Sequence, residues 1–590
     1  MSRIAIDPVT RAGGQLRVEA EVSSGAVTEA WVSGTMYRGI EAVLHGRDPR
    51  EAWLLAQRVC GTCTGVHALA SVRAVERALG IVIPKNARLV RNVMGGAILV
   101  RDHAMVFYQR SLPDWVDIAA AVTADPVETS RLARAASAWP KSDSEYFKGV
   151  RDRLAAILAS DQKGPFGGGW SGHPAYRLTP EQSLLLMAHM LEALDWQRDF
   201  LRIEALLGGK DPHPQTYLVG GMALAPPWGG PKASKTRQHP QVPDHNAPVA
   251  LSDEGLDLIA SLIADARAFV DQVLVPDVKL LVAAYPDYAQ IGAGPNSYLA
   301  FGDYPQDETR DPVQFLTGGR LVEGNLEGAK PVDQSDVAES VQHAWYAYPD
   351  GDDSLHQPVN GVTAPAFNAQ LPLTQLDGGG KYTWIKAARY NGLVMETGPL
   401  ARVLVGAANG QNEIRLALSR VLEETTLGIE SMASVVGRLL ARMIESQVMV
   451  RQLDGWVWEL RQNLATGDVA IANIELWDPV SWPSGAQGWS LGEGPRGAVG
   501  HWLSIKGGYI DAYQIVDGST WNGSPRDALG LPGPLEVALV GVPVADAAQP
   551  IEIQRVIHSI EPCAACAAHV LDPRPGAGRA LSVHAREATR

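Results

Sequence analysis

The decisive stretch reads Arg58-Val59-Cys60-Gly61-Thr62-Cys63, and a second Cys-x-x-Cys pair stands near the other end of the chain in Pro562-Cys563-Ala564-Ala565-Cys566. These two pairs contain all four cysteines of a 590-residue chain. So few cysteines in so long a chain do not make a disulfide framework, which is typical of short, cysteine-rich secreted domains. The pairs therefore indicate metal or redox chemistry.

A shared metal would constrain the whole chain. Thiolate–metal bonds are about 2.3 Å long, so Cys60 and Cys563 must lie within a few ångströms of each other if both pairs bind one metal. This requirement predicts one large wrapped domain over 1–569, although the length by itself would suggest several domains. The alternative is a four-cysteine zinc site, but zinc modules place their pairs roughly 15 to 20 residues apart. Soft thiolates also bind nickel, copper(I) and iron.

The composition is that of a globular enzyme. Apolar residues make up 46% of the chain and charged residues 20%, which is enough for a large core. The formal net charge of −14 argues against nucleic acid or an anionic membrane as the main partner. The first residues include charges and a proline where a signal peptide needs an apolar run, and we find no apolar run of about 20 residues. We expect a soluble chain without its own export signal.

The predicted fold class is α+β and mainly helical, with a central bundle of long helices and small peripheral β elements. Thr179, Pro180 and Gln182 form a capping box, which predicts a helix start at that point. Apolar periodicity predicts helices over 86–110, 181–207, 252–284 and 412–463, the last long enough for two or more. Alternating apolar residues predict strands over 4–6, 15–22, 26–32 and 498–516.

The residues around the cysteines resemble a known family. The stretch from Arg58 to His67 resembles the N-terminal R-x-C-G-x-C-x-x-x-H signature of nickel–iron hydrogenase large subunits. The stretch from Pro562 to His569 resembles their C-terminal D-P-C-x-x-C-x-x-H signature. Further segments similar to the family are Tyr37 to Glu41, Arg101 to His103, Gly494 to Gly497, and Ser519 to Asn522.

This resemblance implies a catalytic metal centre. Cys60, Cys63, Cys563 and Cys566 would bind nickel, and Cys63 and Cys566 would also bridge to an iron that carries cyanide and carbon monoxide. The implied reaction is heterolytic cleavage or formation of dihydrogen. That reaction needs a base for the proton, and a terminal thiolate such as Cys563 can supply it.

The resemblance also implies roles for the residues around the metals. The Arg496 guanidinium would lie over them with Asp102 as its ionic partner, Ser519 would donate to a cyanide ligand, and Pro495 would line the cofactor site. His67 would hydrogen-bond a thiolate. Without the motif, Asp102 and Arg496 would be read as a structural ion pair and His67 as a core histidine.

A second metal and a maturation step are implied near the C-terminus. Glu41 and His569 would help to bind magnesium, a hard cation that prefers oxygen ligands. Residues 570–590, rich in proline, glycine and charge, resemble the peptide that a dedicated endopeptidase removes after nickel insertion. The alternative is a frayed tail.

Electron transfer implies a partner, because no cysteine remains for an iron–sulfur cluster. The expected obligate partner is an iron–sulfur small subunit, in a heterodimer. Nickel-insertion chaperones, the maturation endopeptidase and a membrane cytochrome b are further expected partners, and no nucleic acid is expected. The resemblance is to the respiratory uptake type. Such a subunit would be exported together with the small subunit and would be associated with the periplasmic face of the membrane through its partners. A cytoplasmic location is the alternative.

Three segments depart from the family pattern. The family segment R-x-E-G-H reads R-A-G-G-Q here, so Gly13 replaces the glutamate that usually serves as first proton relay. Glu561 replaces the usual aspartate, and Asp517-Gly518 replaces an apolar-proline pair. We hypothesise that Glu561, with Asp102 and Arg496, carries more of the proton traffic, or that turnover is slow.

Two other functions remain open at this stage. A hydrogen sensor of the same fold would bind the same metals and signal to a kinase, but such sensors typically lack a maturation tail. A zinc-bearing or metal-free structural relative, similar to a subunit of respiratory complex I, would not need all four cysteines. Metal analysis separates these possibilities.

Overall fold

The structure, a computed structural model, describes residues 2–160, 171–224, 249–369, 371 and 373–567. Its α-helices are α1 Ile40–Leu44, α2 Ala52–Ala56, α3 Thr64–Leu79, α4 Lys85–Met105, α5 Ile118–Ala121, α6 Pro126–Ala136, α7 Ser144–Ala159, α8 Pro180–Phe200, α9 Arg202–Gly208, α10 Asp253–Phe269, α11 Val275–Ala284, α12 Pro399–Ala408, α13 Asn412–Thr425, α14 Val435–Ala465, α15 Gly518–Asn522, α16 Pro534–Leu539, α17 Ile551–Ile560 and α18 Ala564–Ala567. Two π-helical turns, Val106–Ser111 and Val270–Leu274, continue α4 and α10.

The strands are short and lie in several small sheets. They are β1 Ser2–Ile6, β2 Leu16–Ser23, β3 Ala26–Gly34, β4 Tyr217–Leu218, β5 Gly221–Met222, β6 Tyr298–Ala300, β7 Asp303–Pro305, β8 Gln314–Leu316, β9 Gly319–Leu321, β10 Val337–Ser340, β11 Tyr346–Ala347, β12 Ala364–Pro365, β13 Ala387–Tyr390, β14 Gly485–Gly494, β15 Gly497–Lys506 and β16 Tyr509–Val516. Strands β1–β3 form one antiparallel sheet and β14–β16 another.

The predicted mainly helical α+β fold in one large domain is confirmed. The helix expected over 181–207 is α8 followed by α9, and its capping box is present: Thr179 Oγ1 accepts from the Gln182 backbone N–H at 3.2 Å, and Gln182 Oε1 accepts from the Thr179 N–H at 3.0 Å. The stretch 412–463 forms two helices, α13 and the 31-residue α14. Helix α14 packs against α4, but the central bundle of long helices stays a prediction.

Strand β14 was not predicted, because its sequence is rich in glycine and lacks regular alternation. The glycines have a packing reason. A Cβ at Gly488 would lie 2.2 Å from the Ala74 carbonyl oxygen and 2.6 Å from the Ala78 backbone nitrogen, so β14 packs with its backbone directly against α3. This close approach sets the position of α3, the helix that begins directly after Cys63.

A buried ionic network ties four elements together beside this contact. Arg402 of α12 donates to Glu445 of α14 at 2.6 and 2.7 Å and to Glu493 of β14 at 2.8 Å. His103 of α4 lies 2.8 Å from Glu445. Burial opposes ionisation of Glu445, but Arg402 and His103 outweigh it and lower its pKa to about 2. Losing one partner of such a network leaves an uncompensated buried charge, so the four elements are held in one arrangement.

The two ends of the described chain lie against each other. Gly13 pairs with Cys563 in an isolated parallel β-bridge, and the Ala565 N–H donates to the Gly13 carbonyl at 3.3 Å. The largest cluster of buried apolar residues includes all four cysteines. Among the described residues, no helix is both long and apolar enough to span a membrane.

The contact between α3 and β14 generates a stability prediction. We expect Gly488→Ala to lower the free energy of unfolding by about 1 to 3 kcal/mol, because a methyl group cannot fit against backbone atoms of α3 without shifting the helix. Gly485→Ala on the same strand is the control, since its Cβ would meet nothing nearer than 3.9 Å. Thermal unfolding of both purified variants tests this, and equal midpoints would contradict it.

Candidate metal centre

The N-terminal cysteine pair lies in a loop that is fastened by hydrogen bonds. The Cys60 Sγ accepts from the backbone N–H groups of Thr62 at 3.4 Å and Cys63 at 3.2 Å. Arg101 donates to the Thr62 carbonyl at 2.9 Å, and Arg38 donates to the carbonyl of the residue before Cys60 at 2.9 Å. Two arginines therefore fix the loop between α2 and α3 and the direction of both sulfur atoms.

The C-terminal pair enters the same space from α17. Glu561 ends that helix with a positive φ of 60°, which turns the chain so that Cys563 points into the protein. The Cys563 Sγ lies 2.9 Å from the Cys566 Sγ, and the Cys566 Sγ lies 4.0 Å from the Cys63 Sγ. The ligand atoms of Cys60, Cys63 and Cys566 all lie within 4.8 Å of one another. All four cysteines are buried free thiols.

The four sulfur atoms cannot all be ionised in this space by themselves. Hydrogen bonds from Cys563, Cys566 and Cys63 hold the pKa of Cys60 well below its usual value. Burial and the neighbouring sulfurs raise the pKa of Cys566 well above it. A soft divalent cation removes this conflict, because thiolate–metal bonds displace the thiol protons. The donor set therefore fits a thiolate-bound metal.

Buried charges lie beside the thiols. Arg496, in the turn between β14 and β15, donates to Glu561 at 2.5 Å and lies 3.6 Å from Asp102. Glu561 also accepts from Arg110 and lies 4.0 Å from Arg442. Burial opposes ionisation of Asp102, but Arg496 and Arg110 lower its pKa. Asp102 Oδ2 and the Arg496 Nε and Nη1 atoms have no hydrogen-bond partner, so they remain available to a ligand.

His67 is part of a buried hydrogen-bonded chain. Its Nδ1 lies 3.1 Å from Nε2 of His501, whose Nδ1 lies 2.7 Å from the Tyr513 hydroxyl. Burial lowers the pKa of His67 to about 4, so the neutral ring is favoured. A ligand atom of His67 lies within 4.8 Å of the Cys566 sulfur, and a hydrogen bond from His67 to a thiolate stays a prediction.

The short helix α15 places Ser519 beside Cys563. The Ser519 Oγ accepts from the Cys563 N–H at 2.9 Å, which leaves its own O–H free to donate. Asp517 caps α15 by accepting from the Ser519 and Thr520 N–H groups at 2.8 Å. Gly518 is required there, because a Cβ would lie 2.6 Å from the Arg496 carbonyl. The departure at Asp517-Gly518 thus retains a capped helix start at the centre.

Asp517 itself is a site residue that the sequence reasoning did not assign. Its Oδ2 has no hydrogen-bond partner, and one of its carboxylate oxygens lies within 4.8 Å of the Cys566 sulfur. Burial raises its pKa to about 6. Arg110, Arg442 and His501 were also missed, since none of them belongs to a motif that the sequence reasoning used.

Gly13 lies in direct contact with the terminal thiol. A Cβ at this position would lie 2.5 Å from the Cys563 Sγ and 3.2 Å from its Cβ. The neighbouring Gly14 has a positive φ of 74° and would meet the Ala565 backbone nitrogen at 2.4 Å. A side chain at position 13 would therefore displace the Cys563 sulfur from its present position.

Pro495 lies in the turn that carries Arg496. Its carbonyl is 3.5 Å from an Arg402 nitrogen, which connects the turn to the buried network. A small cavity of about 20 Å³ lies against Pro495 and is lined by apolar side chains such as Val66 and Ile98 and by charged ones such as Glu493.

Glu41 is buried in a separate polar cluster. It accepts from the Ile515 N–H at 2.8 Å and lies 3.6 Å from the Lys386 ammonium. Lys386 also contacts Glu339 at 3.2 Å and Gln514 at 3.0 Å. Burial raises the pKa of Glu41 to about 7, and one oxygen of Glu339 has no partner. The expected magnesium partner His569 lies outside the described residues.

Comparison with known proteins gives consistent results. A model of the nickel-dependent hydrogenase family matches residues 38–569. The uptake hydrogenase large subunit of Bradyrhizobium diazoefficiens is 43% identical over 585 residues, which cover 97% of this chain and 96% of that protein. The hydrogenase-1 large chain of Escherichia coli is 40% identical, with 96% and 95% covered.

Solved structures agree. The Ni-Fe-Se hydrogenase of Desulfovibrio vulgaris Hildenborough in the reduced state is similar with a TM-score of 0.73 and 30% identity, over 96% of this chain and all of that one. The enzyme of Desulfomicrobium baculatum gives a TM-score of 0.72 at 27% identity. The family match, the close relatives and the shared fold together show that this chain belongs to the nickel-dependent hydrogenase family, as a large subunit.

Proposed function

We propose that this chain is the catalytic subunit that cleaves or forms dihydrogen heterolytically at a nickel–iron centre held by Cys60, Cys63, Cys563 and Cys566. One observation carries the proposal: four buried thiols from the two ends of the chain share one small space. Among protein ligands, clustered thiolates favour soft metals. The names of the uptake hydrogenase relatives favour oxidation of dihydrogen as the direction.

The surrounding residues fit the ligands that the resemblance implies. Cys63 and Cys566 would bridge nickel to an iron with cyanide and carbon monoxide ligands. Ser519 has a hydroxyl proton to donate to cyanide, and two nitrogens of Arg496 have no protein partner. Pro495 would supply apolar lining. The free Ser519 proton and the free Arg496 nitrogens are hydrogen-bond donors of the kind that these iron ligands would need, and this supports the assignment.

The bound metals would supply the Lewis acidity that polarises dihydrogen. The chain's own contribution is to hold charge and accept the proton. The Cys563 thiolate is the expected first acceptor. Asp102 Oδ2 has a free lone pair for the next transfer, whereas the Glu561 carboxylate is engaged by arginines and orients Arg496. We therefore propose that Asp102 accepts the proton and that Glu561 orients the Arg496 guanidinium, in place of a path in which Glu561 itself carries the proton.

We also propose a magnesium ion at Glu41, with His569 as a further ligand. The support is the donor chemistry: two buried carboxylates and the Gln514 amide supply oxygen atoms, and one Glu339 oxygen has no partner. Lys386 would then balance the remaining carboxylate charge.

The proposed assembly follows from the electron requirement. An iron–sulfur small subunit would take the electrons, and nickel-insertion chaperones and an endopeptidase that removes 570–590 would mature the chain. Association with a membrane would come from partners, a cytochrome b among them, on the periplasmic face. The described part of the chain carries no cysteine besides the four at the centre.

The function is tested on the co-purified complex. We expect hydrogen-dependent reduction of a redox dye together with about one nickel per chain, as the four-thiolate site requires. Both are measured in the same sample. Zinc without nickel, and no dye reduction, would refute the enzyme and support a structural relative; nickel with only trace dye reduction would support a sensor.

The contact at Gly13 generates a prediction about metal retention. Gly13→Ala would push the Cys563 sulfur away, so we expect a loss of nickel affinity of roughly 10-fold or more, as for other changes around metal ligands. Gly61→Ala is the matched control, since its Cβ would have open space beside the other cysteine pair. Nickel per chain after dialysis against a chelator measures the effect. Equal nickel in both variants would show that position 13 tolerates a side chain.

The free oxygen of Asp102 generates a prediction about proton transfer. Asp102→Asn removes the proposed acceptor but keeps the shape, so we expect hydrogen–deuterium exchange to fall about 100-fold with nickel content unchanged. Exchange at the parent rate in a nickel-replete Asp102→Asn protein would rule out this role.

A further inference from the structure

Arg110 connects the buried charges at the centre to the edge of the chain. It lies in the π-helical turn Val106–Ser111 and donates to Oε1 of Glu561, the oxygen that also accepts from Arg496. Its side chain is 16% exposed, whereas those of Glu561 and Arg496 are 2% and 5% exposed. Arg110, Glu561 and Arg496 therefore form a row of paired charges in which Arg110 lies nearest the protein surface.

The π turn explains why Arg110 faces this row. Asp102 of α4 lies 3.6 Å from Arg496. In an uninterrupted α-helix, residues eight positions apart, as Asp102 and Arg110 are, would be rotated by about 80° from each other. A π turn contains one extra residue, which rotates the following side chains back. Asp102 and Arg110 can thus both contact the Arg496–Glu561 pair from one helix.

The turn is anchored on both sides. The Tyr108 hydroxyl donates to Asp277 of α11 at 2.7 Å. The carbonyl of Arg110 accepts from Arg11 at 2.6 Å, and Arg11 also donates to Gln554 at 3.0 Å. Gln554 lies on α17, the helix that leads into the glutamate that Arg110 binds. The backbones on the two sides of the ion pair are therefore tied together, which limits how far the pair can drift.

Arg110 adds a third guanidinium group to the buried charges at the centre. The guanidinium groups of Arg110, Arg442 and Arg496 meet the carboxylates of Asp102 and Glu561. Glu561 is therefore held from both sides, by Arg496 on the inside and by Arg110 on the outside.

We propose that Arg110 is a positioning residue of the metal centre: it holds the Glu561 carboxylate, which in turn holds the Arg496 guanidinium beside the cysteines. This inference rests on the proposed function. Arg110 does not touch the thiols, so it acts through Glu561 and Arg496.

The test compares three variants of the purified complex. Arg110→Leu removes the charge and the side-chain hydrogen bond to Glu561, and Arg110→Lys keeps the charge. Arg3→Leu is the matched control, because Arg3 is similarly exposed, at 21%, and pairs at 2.7 Å with the buried Glu19 outside the centre. Each is measured for nickel content, for hydrogen–deuterium exchange over a range of dihydrogen pressures, and for the electron paramagnetic resonance spectrum of nickel.

We expect Arg110→Leu to retain nickel, to show an altered nickel spectrum, and to lower the kcat of exchange roughly 10-fold or more with KM unchanged, because a displaced group slows chemistry without weakening substrate binding. Arg110→Lys should recover part of the rate, and Arg3→Leu should match the parent. If Arg110→Leu does not assemble, Arg110→Gln takes its place.

The outcomes separate this inference from the proposed function. A parental spectrum and a parental kcat in a nickel-replete Arg110→Leu or Arg110→Gln protein would overturn the role of Arg110 while the proposed function stands. A parent complex with neither nickel nor exchange would refute the proposed function, and the role of Arg110 would fall with it.

Discussion

The structure depends on one constraint, the convergence of four thiols from opposite ends of the chain. Cys563 and Cys566 reach Cys60 and Cys63 only if the whole polypeptide closes on itself. The cysteines therefore belong to the largest apolar cluster and do not sit in a separate small module. A metal in this space would be buried in the protein core, where electrostatic interactions are stronger than in water. The identity of every nearby charge consequently matters.

Those charges form a cluster beside the thiols. Glu561 and Asp102 lie against Arg496, and Arg110 and Arg442 lie against the Glu561 carboxylate. These charges come from a hairpin turn, the end of α17, helix α4 with the π turn that continues it, and α14. Packing must therefore be accurate across long sequence separations before the site exists. The network around Arg402 supplies part of that accuracy, since it joins α12 to three of the same elements, α4, α14 and β14.

Close contact of a glycine backbone with a neighbouring element is the second feature that recurs in the structure. Gly488 lets β14 lie against α3, Gly518 lets α15 approach the Arg496 carbonyl, and Gly13 lies against the Cys563 sulfur. In each case a methyl group would meet atoms nearer than 3 Å. The glycine at position 13 lets the N-terminal segment lie directly against the thiol, with which it forms an isolated β-bridge.

The sequence alone determined the family and the mainly helical class, and it predicted the four cysteines as metal ligands, because cysteine spacing and flanking motifs are local signals. It also predicted the capped start of α8, since the capping box spans only Thr179 to Gln182. It could not reveal β14, whose glycines break the alternation that marks a strand. Nor could it show that Arg110, Arg442 and Asp517 lie near the centre, because their positions depend on which elements pack together. The direction of the Arg110 side chain depends in addition on the π turn in which it lies. Only the tertiary structure decided that Gly13 lies against the Cys563 sulfur, because that contact joins opposite ends of the chain.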